Sequence, residues 1–553
     1  MIIDILVGMA KFFTKKVCLI ILAVVIALGG IIWVVVANYT PKFRSGISEM
    51  PKATYVSGNG TASVMVDNYL YFVGGSVKTS EIKYGENEYY AKGKMPDAGI
   101  FRVRIDSKSA PVLDYQYDNT YEDEETGEKK TWQAGDKEYN SVVVGVNDWD
   151  HIGQKNNGIE AVVPKIAGHD KTAMWVFGKY LIYVSPHNRY DNRGHLMSDY
   201  LDFFRVDLDG NHHTLIYTTD STDLTATNFT VWADSTEKIY LLVSETDNKS
   251  EKAETKIKKI DVINPKNVTV LDRNVSNVVL PTATQYKRNS DNENLSQIYG
   301  GVMSYVYYTK GREENDSAKG NLLYRCSING GEPEKIAEQG DEHEGTTFTP
   351  LAVTPLDVNG AHANAQFVFA ISVTNENSAD RIEQELCVIT NDNLNHYVYQ
   401  EPTININNGL KKDYKVMVYA NGFCTVDKKL RHYEINDGRI ILDRELLPSV
   451  DVESVVAVLG DVVYARANDV LYAVNKNGTS NTISLTVAST NTTVDDETGE
   501  VSDETVTSEI TLPVAVLYQP QGNNTDEPII FVQDADYIRL YHANRFRYLR
   551  FKN

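Results

Sequence analysis

Cysteine is scarce in this chain of 553 residues, which contains only four. Cys18 lies within an apolar run, and Cys326, Cys387 and Cys424 each stand alone on predicted strands. This spacing is unlike a disulfide framework or the paired cysteines of a zinc knuckle. We therefore expect buried free thiols, no bound metal and no cofactor, in a domain that is stabilised by its own hydrophobic core.

Basic residues are also fewer than acidic residues. Lys and Arg number 54 against 75 Asp and Glu, which gives a net charge of −21. Nucleic acids and anionic lipid headgroups are bound through patches of Lys and Arg that release counterions. Because the acidic excess works against such patches, we expect no nucleic-acid partner.

One long apolar run interrupts the otherwise mixed sequence, and it covers residues 17–37 without a charged side chain. About 20 apolar residues are what the hydrocarbon core of a bilayer requires, so this run predicts a transmembrane helix. The apolar part of a cleaved signal peptide, which is the alternative, usually has about 7–15 residues. Lysines and arginines flank the run almost equally, but a short N-terminal leader normally stays in the cytoplasm.

These features predict a single-pass protein of the plasma membrane. We expect a cytoplasmic leader at 1–16, the membrane helix at 17–37, a linker at 38–52 and an extracytoplasmic domain at 53–553.

After the apolar run, the sequence contains a repeated pattern. Each repeat consists of one pair of strands and then a second pair, and no helical pattern lies between the repeats. Alternating apolar, aromatic and β-branched residues identify these strands. The first pair ends in a strand such as Tyr69-Leu-Tyr-Phe-Val73. The corresponding strands of the other repeats begin at residues 180, 238, 305, 366, 423, 462 and 529.

Eight such units are expected, and a series of four-stranded sheets is typical of propeller blades. We therefore predict an all-β ectodomain that forms an eight-bladed β-propeller, with seven blades as the alternative count. Tandem β-sandwiches are a second alternative, because their strands are also short and regularly spaced.

Two of the repeats resemble known propeller families. Residues 305–311 and 321–331 are similar to the repeats of low-density-lipoprotein-receptor-type propellers and of bacterial propeller domains like them. Residues 470–478 resemble the repeat of quinoprotein-like propellers. The likeness extends over most of 60–551, although no unit contains Tyr-Trp-Thr-Asp and the chain has only five tryptophans. The resemblance implies a fold and transfers no catalytic residue.

Strand order separates two faces of a propeller. If the strands of a blade are A to D, the B-to-C and D-to-A connections emerge on one face, the insertion face, and the A-to-B and C-to-D connections on the other, the turn face. Long B-to-C connections are expected at 74–98, 185–200, 244–254, 309–320 and 374–383, and long D-to-A connections at 117–140, 280–297 and 488–508. Because loops on a rigid scaffold carry most binding residues, the insertion face is predicted to be the functional one.

The candidate ligand-binding residues belong to one predicted B-to-C connection, at 185–195. They are His187, Arg189, Tyr190, Asp191, Arg193 and His195. Arginine forks beside an aromatic ring could hold carboxylates or sugars, whereas a solvated polar loop without a ligand is the alternative. The chain has no nucleophile elbow, glycine-rich phosphate loop or zinc motif, so no catalytic residue is predicted.

The sequence therefore favours a membrane-anchored binding scaffold or receptor-like protein over an enzyme. Its expected partner is another protein or a cell-surface polymer, bound through the long loops. An extracellular hydrolase or lyase on the same scaffold is one alternative, and a structural surface protein whose loops mediate lateral packing is another.

Overall fold

The computed structural model of the protein describes the chain in segments. They are residues 49–74, 97–104, 120–122, 126, 129–131, 159–167, 173–187, 200–221, 227–235, 237–247, 253–281, 285–287, 301–312, 320–337, 346–353, 366–374, 382–390, 415–419, 422–426, 428–436, 439–459, 462–467, 470–484, 486–494, 501–509, 514–520, 526–533, 537–542 and 545–550. The chain divides into two units, Met1–Arg44 and Ser45–Asn553, and the segments described all belong to the second. In these segments no helix is long and apolar enough to cross a membrane. The predicted membrane helix at 17–37 lies outside them.

The described residues form strands almost exclusively. The first half of the chain contains β1 (Tyr55–Ser57), β2 (Ser63–Val66), β3 (Tyr69–Gly74), β4 (Asp97–Arg104), β5 (Thr120–Glu122), β6 (Lys129–Thr131), β7 (Ile159–Ala167), β8 (Met174–Phe177), β9 (Tyr180–Pro186), β10 (Leu201–Asp207), β11 (Thr214–Thr218), β12 (Asn228–Ser235), β13 (Lys238–Asp247), β14 (Glu254–Asp261), β15 (Val268–Arg273), β16 (Ser276–Val279) and β17 (Gln285–Lys287).

The second half begins with a single 3-10 turn at Gly301–Ser304. Its strands are β18 (Tyr305–Gly311), β19 (Asn321–Ser327), β20 (Glu334–Ala337), β21 (Thr346–Val353), β22 (Gln366–Thr374), β23 (Ile382–Thr390), β24 (Lys415–Tyr419), β25 (Gly422–Val426), β26 (Leu430–Asn436), β27 (Arg439–Glu445), β28 (Ser454–Leu459), β29 (Val462–Ala467), β30 (Val470–Asn475), β31 (Ser480–Ser484), β32 (Thr486–Val494), β33 (Val501–Glu509), β34 (Val514–Pro520), β35 (Asp526–Gln533), β36 (Tyr537–His542) and β37 (Arg545–Arg550).

The strands pair in chain order into antiparallel sheets, which confirms the predicted repeat and the all-β propeller fold. Sheet 1 contains β1 to β4, β7 and β17, sheet 2 contains β8 to β11, and sheet 3 contains β12 to β15. Sheet 4 contains β16 and β18 to β20, and sheet 5 contains β21 to β23. Sheets 6, 7 and 8 are β24 to β27, β28 to β31 and β34 to β37. Two separate hairpins, β5–β6 and β32–β33, complete the strands.

The predicted number of blades was wrong. Among the described residues six sheets are four-stranded blades, whereas the sequence predicted eight, with seven as the alternative. Sheet 1 departs from the blade form because β1 and β17 add two strands to it. Sheet 5 departs from it because it has three strands, and residues 391–414 after its last strand lie outside the described part.

Successive sheets meet along the chain, and the last meets the first. Strand β2 lies beside β8 and β34, and β28 lies beside β24 and β34. The sheets therefore follow one another in a closed series, which a tandem of separate β-sandwiches would not produce. Apolar residues of sheets 1 to 5 pack into one continuous core, in which the rings of Tyr307 and Phe367 stack at 3.7 Å.

Neighbouring sheets are also joined by a repeated polar contact on the turn face. Arg205 of β10 donates to the carbonyls of Val262 and Ile263 in sheet 3, at 3.0 and 3.1 Å. Lys259 of β14 donates in the same way to the carbonyl of Ile328 in sheet 4, at 2.8 Å. Each cation also lies over a tyrosine ring of its own sheet. These contacts satisfy carbonyls of the C-to-D turns and fix each blade against the next.

The prediction that all long insertions lie on one face was wrong. The strand order makes residues 105–158 the C-to-D connection of sheet 1 and residues 280–304 the A-to-B connection of sheet 4, so both emerge on the turn face. The expected B-to-C connections are confirmed, as is the D-to-A connection that includes β32 and β33. The error arose because β7 was not recognised as the last strand of sheet 1 nor β16 as the first strand of sheet 4.

Candidate functional site

His187 is the one predicted ligand-binding residue that the structure describes, and it lies where β9 meets its B-to-C connection. The other five, Arg189, Tyr190, Asp191, Arg193 and His195, lie at 188–199, outside the described residues. The His187 side chain is only 9% exposed. It therefore contributes to the base of the connection rather than to an open loop surface.

A carboxylate fixes the His187 ring. Its Nδ1 lies 2.8 Å from both oxygens of Asp202, which is on β10 and also buried. Because carboxylate oxygens accept hydrogen bonds, the Nδ1 N–H of His187 is the donor in this contact. The hydroxyl of Thr218 donates to the same carboxylate. The backbone NH of His187 donates to the carbonyl of Tyr200 at 2.8 Å, which closes the connection at its base.

A second polar cluster lies on the same face, between sheets 2 and 3, and its centre is Lys258 of β14. The Lys258 ammonium donates to Asp220 at 2.6 Å, to Glu245 at 2.9 Å and to the hydroxyl of Tyr217 at 2.9 Å. Tyr217 in turn donates to Glu245. The other Glu245 oxygen accepts the backbone NH groups of Asp220 and Ser221. Three elements, β11, β13 and β14, are thereby connected through one buried carboxylate.

Electrostatics keep this Lys258 cluster in one protonation state. Burial lowers the pKa of Lys258, but hydrogen bonds and charges from Asp220 and Glu245 outweigh it and raise the pKa overall. Burial, with the charge and hydrogen bond of Glu245, raises the pKa of Tyr217. The ammonium and the phenol consequently both keep their protons at neutral pH, and each can donate to Glu245.

A more exposed set of charges follows on three strands of sheet 3, β13, β14 and β15. Lys256 lies 3.1 Å from Asp247 and 3.2 Å from Glu254, and Arg273 lies 3.4 Å from Glu254. These residues flank the B-to-C connection of sheet 3. The insertion face of sheets 2 and 3 therefore combines a buried, mutually satisfied layer with an outer layer of paired charges.

The Lys258 cluster was not predicted from the sequence. A signal was present, because Lys258 falls in a strand between the apolar residues Ile257 and Ile260, and such a lysine is rarely buried without a partner. The carboxylates that pair with Lys258 could not be predicted, because one of them follows a strand of a different sheet. Alternation of residues along a strand carries no information on contacts between sheets.

The turn that includes Asp207 and Gly210 is a tight hairpin. Gly210 has a positive φ of 82°, and its NH donates to the carbonyl of Asp207 at 2.8 Å. His212 pairs with Asp207 at 2.8 Å, whereas the ring of His213 stacks on Phe204 and bonds the hydroxyl of Tyr183. Both histidines thus have protein partners in the turn.

The known proteins that are similar to this chain resemble it only remotely. No family model matches the chain, and no curated protein matches it. Similar solved structures include an oligogalacturonate lyase in complex with manganese, 9% identical, with a TM-score of 0.34 over 78% of this chain and 100% of that one. The propeller domain of the trilobed protease from Pyrococcus furiosus is 10% identical, with a TM-score of 0.28 over 90% and 97%.

A third similar structure is BamB from Moraxella catarrhalis, which is 9% identical, with a TM-score of 0.30 over 67% of this chain and 82% of that one. At such low identity and TM-score these likenesses carry no argument about this chain.

Proposed function

We propose that the protein is a binding scaffold, tethered to the plasma membrane, that captures a carboxylate-bearing protein or cell-surface polymer with its insertion face. The observation that carries the proposal is the buried polar layer beneath this face, formed by His187 with Asp202 and by the Lys258 cluster. Binding sites are usually loops on a rigid support, and this layer supplies such a support.

The choice of face rests on this support and not on the number of insertions, because long connections occur on both faces. Residues 188–199 add Arg189 and Arg193 with Tyr190, in a chain whose net charge is −21. Arginine forks bind carboxylates in a bidentate way, so this connection is the part of the face that suits an acidic partner. The similarity to low-density-lipoprotein-receptor-type repeats is in keeping with a receptor-like role and is part of the proposal.

The binding test uses the full-length chain in detergent, with immobilised alginate, immobilised polyglutamate and uncharged dextran. We expect retention on at least one acidic probe, weaker at high salt, and none on dextran. Replacing 188–199 by a Gly-Ser segment of equal length should reduce retention at least tenfold. Replacing 313–319, the acidic B-to-C connection of sheet 4, is the matched control and should leave it unchanged.

Two results would contradict the binding proposal. One is a wild-type chain that neither acidic probe retains. The other is a 188–199 replacement that binds as tightly as wild type. An unchanged melting temperature of the variant verifies that the fold is intact.

The membrane anchor is a separate part of the proposal, supported by the uncharged run at 17–37. The protein should stay with membranes after alkaline carbonate extraction, and protease added outside intact cells should remove the domain at 53–553. Release of the whole chain by carbonate would refute the anchor without affecting the binding test.

An extracellular hydrolase or lyase is the second candidate, and the contact between His187 and Asp202 is the observation that favours it. In the neutral ring, a carboxylate at Nδ1 leaves Nε2 as an acceptor, which is the orientation that a general base needs. His187→Gln should then abolish turnover of alginate or of casein at a temperature where circular dichroism shows that the variant is still folded. If wild type converts neither substrate, this candidate is rejected for those two classes.

A further inference from the structure

A β-bulge in sheet 6 brings together three side chains that suit a metal ion. In the register between β26 and β27, His432 opposes Arg444 while Tyr433 opposes Leu442, so Asp443 is the extra residue of the bulge. A bulge turns the side chain of its extra residue out of the normal alternation. In this case it places Asp443 beside His432, with the His432 Nδ1 only 3.0 Å from the Asp443 Oδ2.

Glu434 supplies the third group. It lies two residues after His432 on β26, so the two side chains point to the same face of the sheet. The candidate ligand atoms of His432, Glu434 and Asp443 all lie within 4.8 Å of one another. Ligands in a tetrahedral or octahedral shell around an ion at about 2.1 Å are about 3.0 to 3.4 Å apart, so a small rotation of the exposed Glu434 would complete the set.

We propose that His432, Glu434 and Asp443 bind a divalent transition-metal ion of the zinc class. One imidazole nitrogen and two carboxylate oxygens are ligands that zinc accepts, and three protein ligands leave a position for water. The site lies in sheet 6, apart from the proposed binding face of sheets 2 and 3, and does not depend on it. It also departs from the sequence analysis, which expected no metal.

The three residues differ in exposure to solvent, and this difference supports such a site. His432 is only 1% exposed, the side chain of Asp443 is 24% exposed, and Glu434 is exposed. The imidazole is therefore held in place by the sheet, while Glu434 can move to meet an ion that enters from solvent.

Arg444 is the competitor of the ion. Its Nε donates to the Asp443 Oδ2 at 2.8 Å, the same oxygen that faces His432. Its NH1 also donates to the carbonyl of Asn477, in a turn of sheet 7, at 2.8 Å. Because Asn477 can hold the guanidinium alone, Asp443 can turn from Arg444 to a metal ion without leaving the arginine unpaired. Two carboxylates against one nearby guanidinium also leave a net negative charge for the ion to neutralise.

The test uses the full-length chain, stripped with EDTA, and titrates it with Zn²⁺ by calorimetry and with Co²⁺ by visible absorption. We expect one tight ion per chain and a cobalt spectrum that shows a nitrogen and oxygen ligand set. Glu434→Gln, at an exposed position that tolerates the change, should weaken Zn²⁺ binding at least tenfold. Arg444→Met should strengthen it, because the competitor for Asp443 is removed.

Two matched controls separate this site from general metal binding. Glu445→Gln removes an exposed carboxylate from the same strand, β27, and should leave the affinity unchanged. His212→Gln removes a histidine that also pairs with an aspartate, Asp207, at 2.8 Å but is not part of the three-residue group. It should likewise have no effect.

Absence of a tight stoichiometric ion in wild type would overturn the inference. So would a Glu434→Gln protein that binds Zn²⁺ like wild type, or a Glu445→Gln protein that loses as much affinity. If His432→Gln proves unstable, the exposed Glu434→Gln variant still decides the question.

Discussion

At the scale of single residues, the turn of sheet 2 contains a histidine whose charge state depends on folding. His213 lies against Phe204 and bonds the hydroxyl of Tyr183. Desolvation of the ring against these side chains lowers the pKa of His213 from its ordinary value of 6.5, although the residue as a whole is exposed. In the folded protein the ring therefore stays neutral at a pH where the unfolded chain already takes up a proton.

The first prediction is a loss of stability in mild acid. As pH falls below about 6.5, His213 binds a proton in the unfolded state but not in the folded state. The free energy of unfolding therefore decreases until the pH reaches the lowered pKa of His213 in the folded state. The melting temperature of wild type should drop between pH 7.5 and 5.5, and His213→Gln should drop less. Equal losses in both proteins would show that His213 is not the group involved.

The cysteines of the described part are all free and buried, as the sequence predicted. Burial, assisted by the charge of Asp272, raises the pKa of Cys326 to about 12. Burial also raises the pKa of Cys424. A thiol in this state does not form the thiolate that alkylating reagents attack.

The second prediction concerns these thiols. Iodoacetamide at pH 8 should leave Cys326, Cys387 and Cys424 unmodified in the native protein and modify all three in guanidinium. Peptide mapping by mass spectrometry measures each one separately. Rapid native modification of Cys326 would contradict the burial of this thiol.

At the scale of elements, the joint between sheets 2 and 3 depends on buried charges. Lys258 is 9% exposed and Glu245 is 1% exposed. Removing one member of such a pair leaves the other charge buried without compensation, which typically costs about 3 to 5 kcal/mol. Lys238, by contrast, is 64% exposed and lies 3.8 Å from Asp234.

The third prediction compares these two lysines. Lys258→Met should lower the free energy of unfolding by about 3 kcal/mol. Lys238→Met should change it by less than about 1 kcal/mol, because an exposed pair is screened by water and salt. Urea unfolding measures both variants. Similar values for the two would mean that the Lys258 cluster adds nothing beyond a surface ion pair.

The sequence predicted individual strands better than it predicted the pairing between distant strands. Strands such as β9 and β13 were predicted from alternating residues, and the structure contains both. In contrast, β17 has three residues and no distinctive pattern, and it pairs with β1 more than 200 positions away. Such pairing depends on the assembled sheets, as does the bulge at Asp443, so neither could be predicted.

At the scale of the whole molecule, sheet 1 and sheet 4 are connected by β17. Its residues lie in the A-to-B connection of sheet 4, yet they pair with β1 at the edge of sheet 1 that continues from β2. The residues of β1 are all buried. Covering this edge supplies hydrogen-bond partners that β1 would otherwise lack.

The fourth prediction tests this connection. Tyr55 forms its backbone hydrogen bonds with Asp67, on the side of β2, so Val56 is the residue of β1 whose backbone faces β17. Replacing 285–287 by three prolines should break the pairing of β17 with β1, so the amide of Val56 should exchange with solvent much faster. The melting temperature should also fall. Hydrogen exchange with mass spectrometry measures the effect locally.

The control for this experiment is the same triple-proline replacement in β5, another three-residue strand, which belongs to a separate hairpin. It should leave exchange at Val56 unchanged. Unaltered protection of this amide after the change at 285–287 would show that β17 does not cover the edge in solution.

The pairing of β17 with β1 also sets an order of events during synthesis on the ribosome. Sheet 1 cannot be completed when its own strands emerge, because Gln285 to Lys287 are translated only after sheets 2 and 3. Until then β1 presents an open edge to other nascent chains, and an open edge is where strands associate wrongly. Slow translation between residues 167 and 285 should therefore increase aggregation of this protein, and a chaperone that covers exposed edges should suppress it.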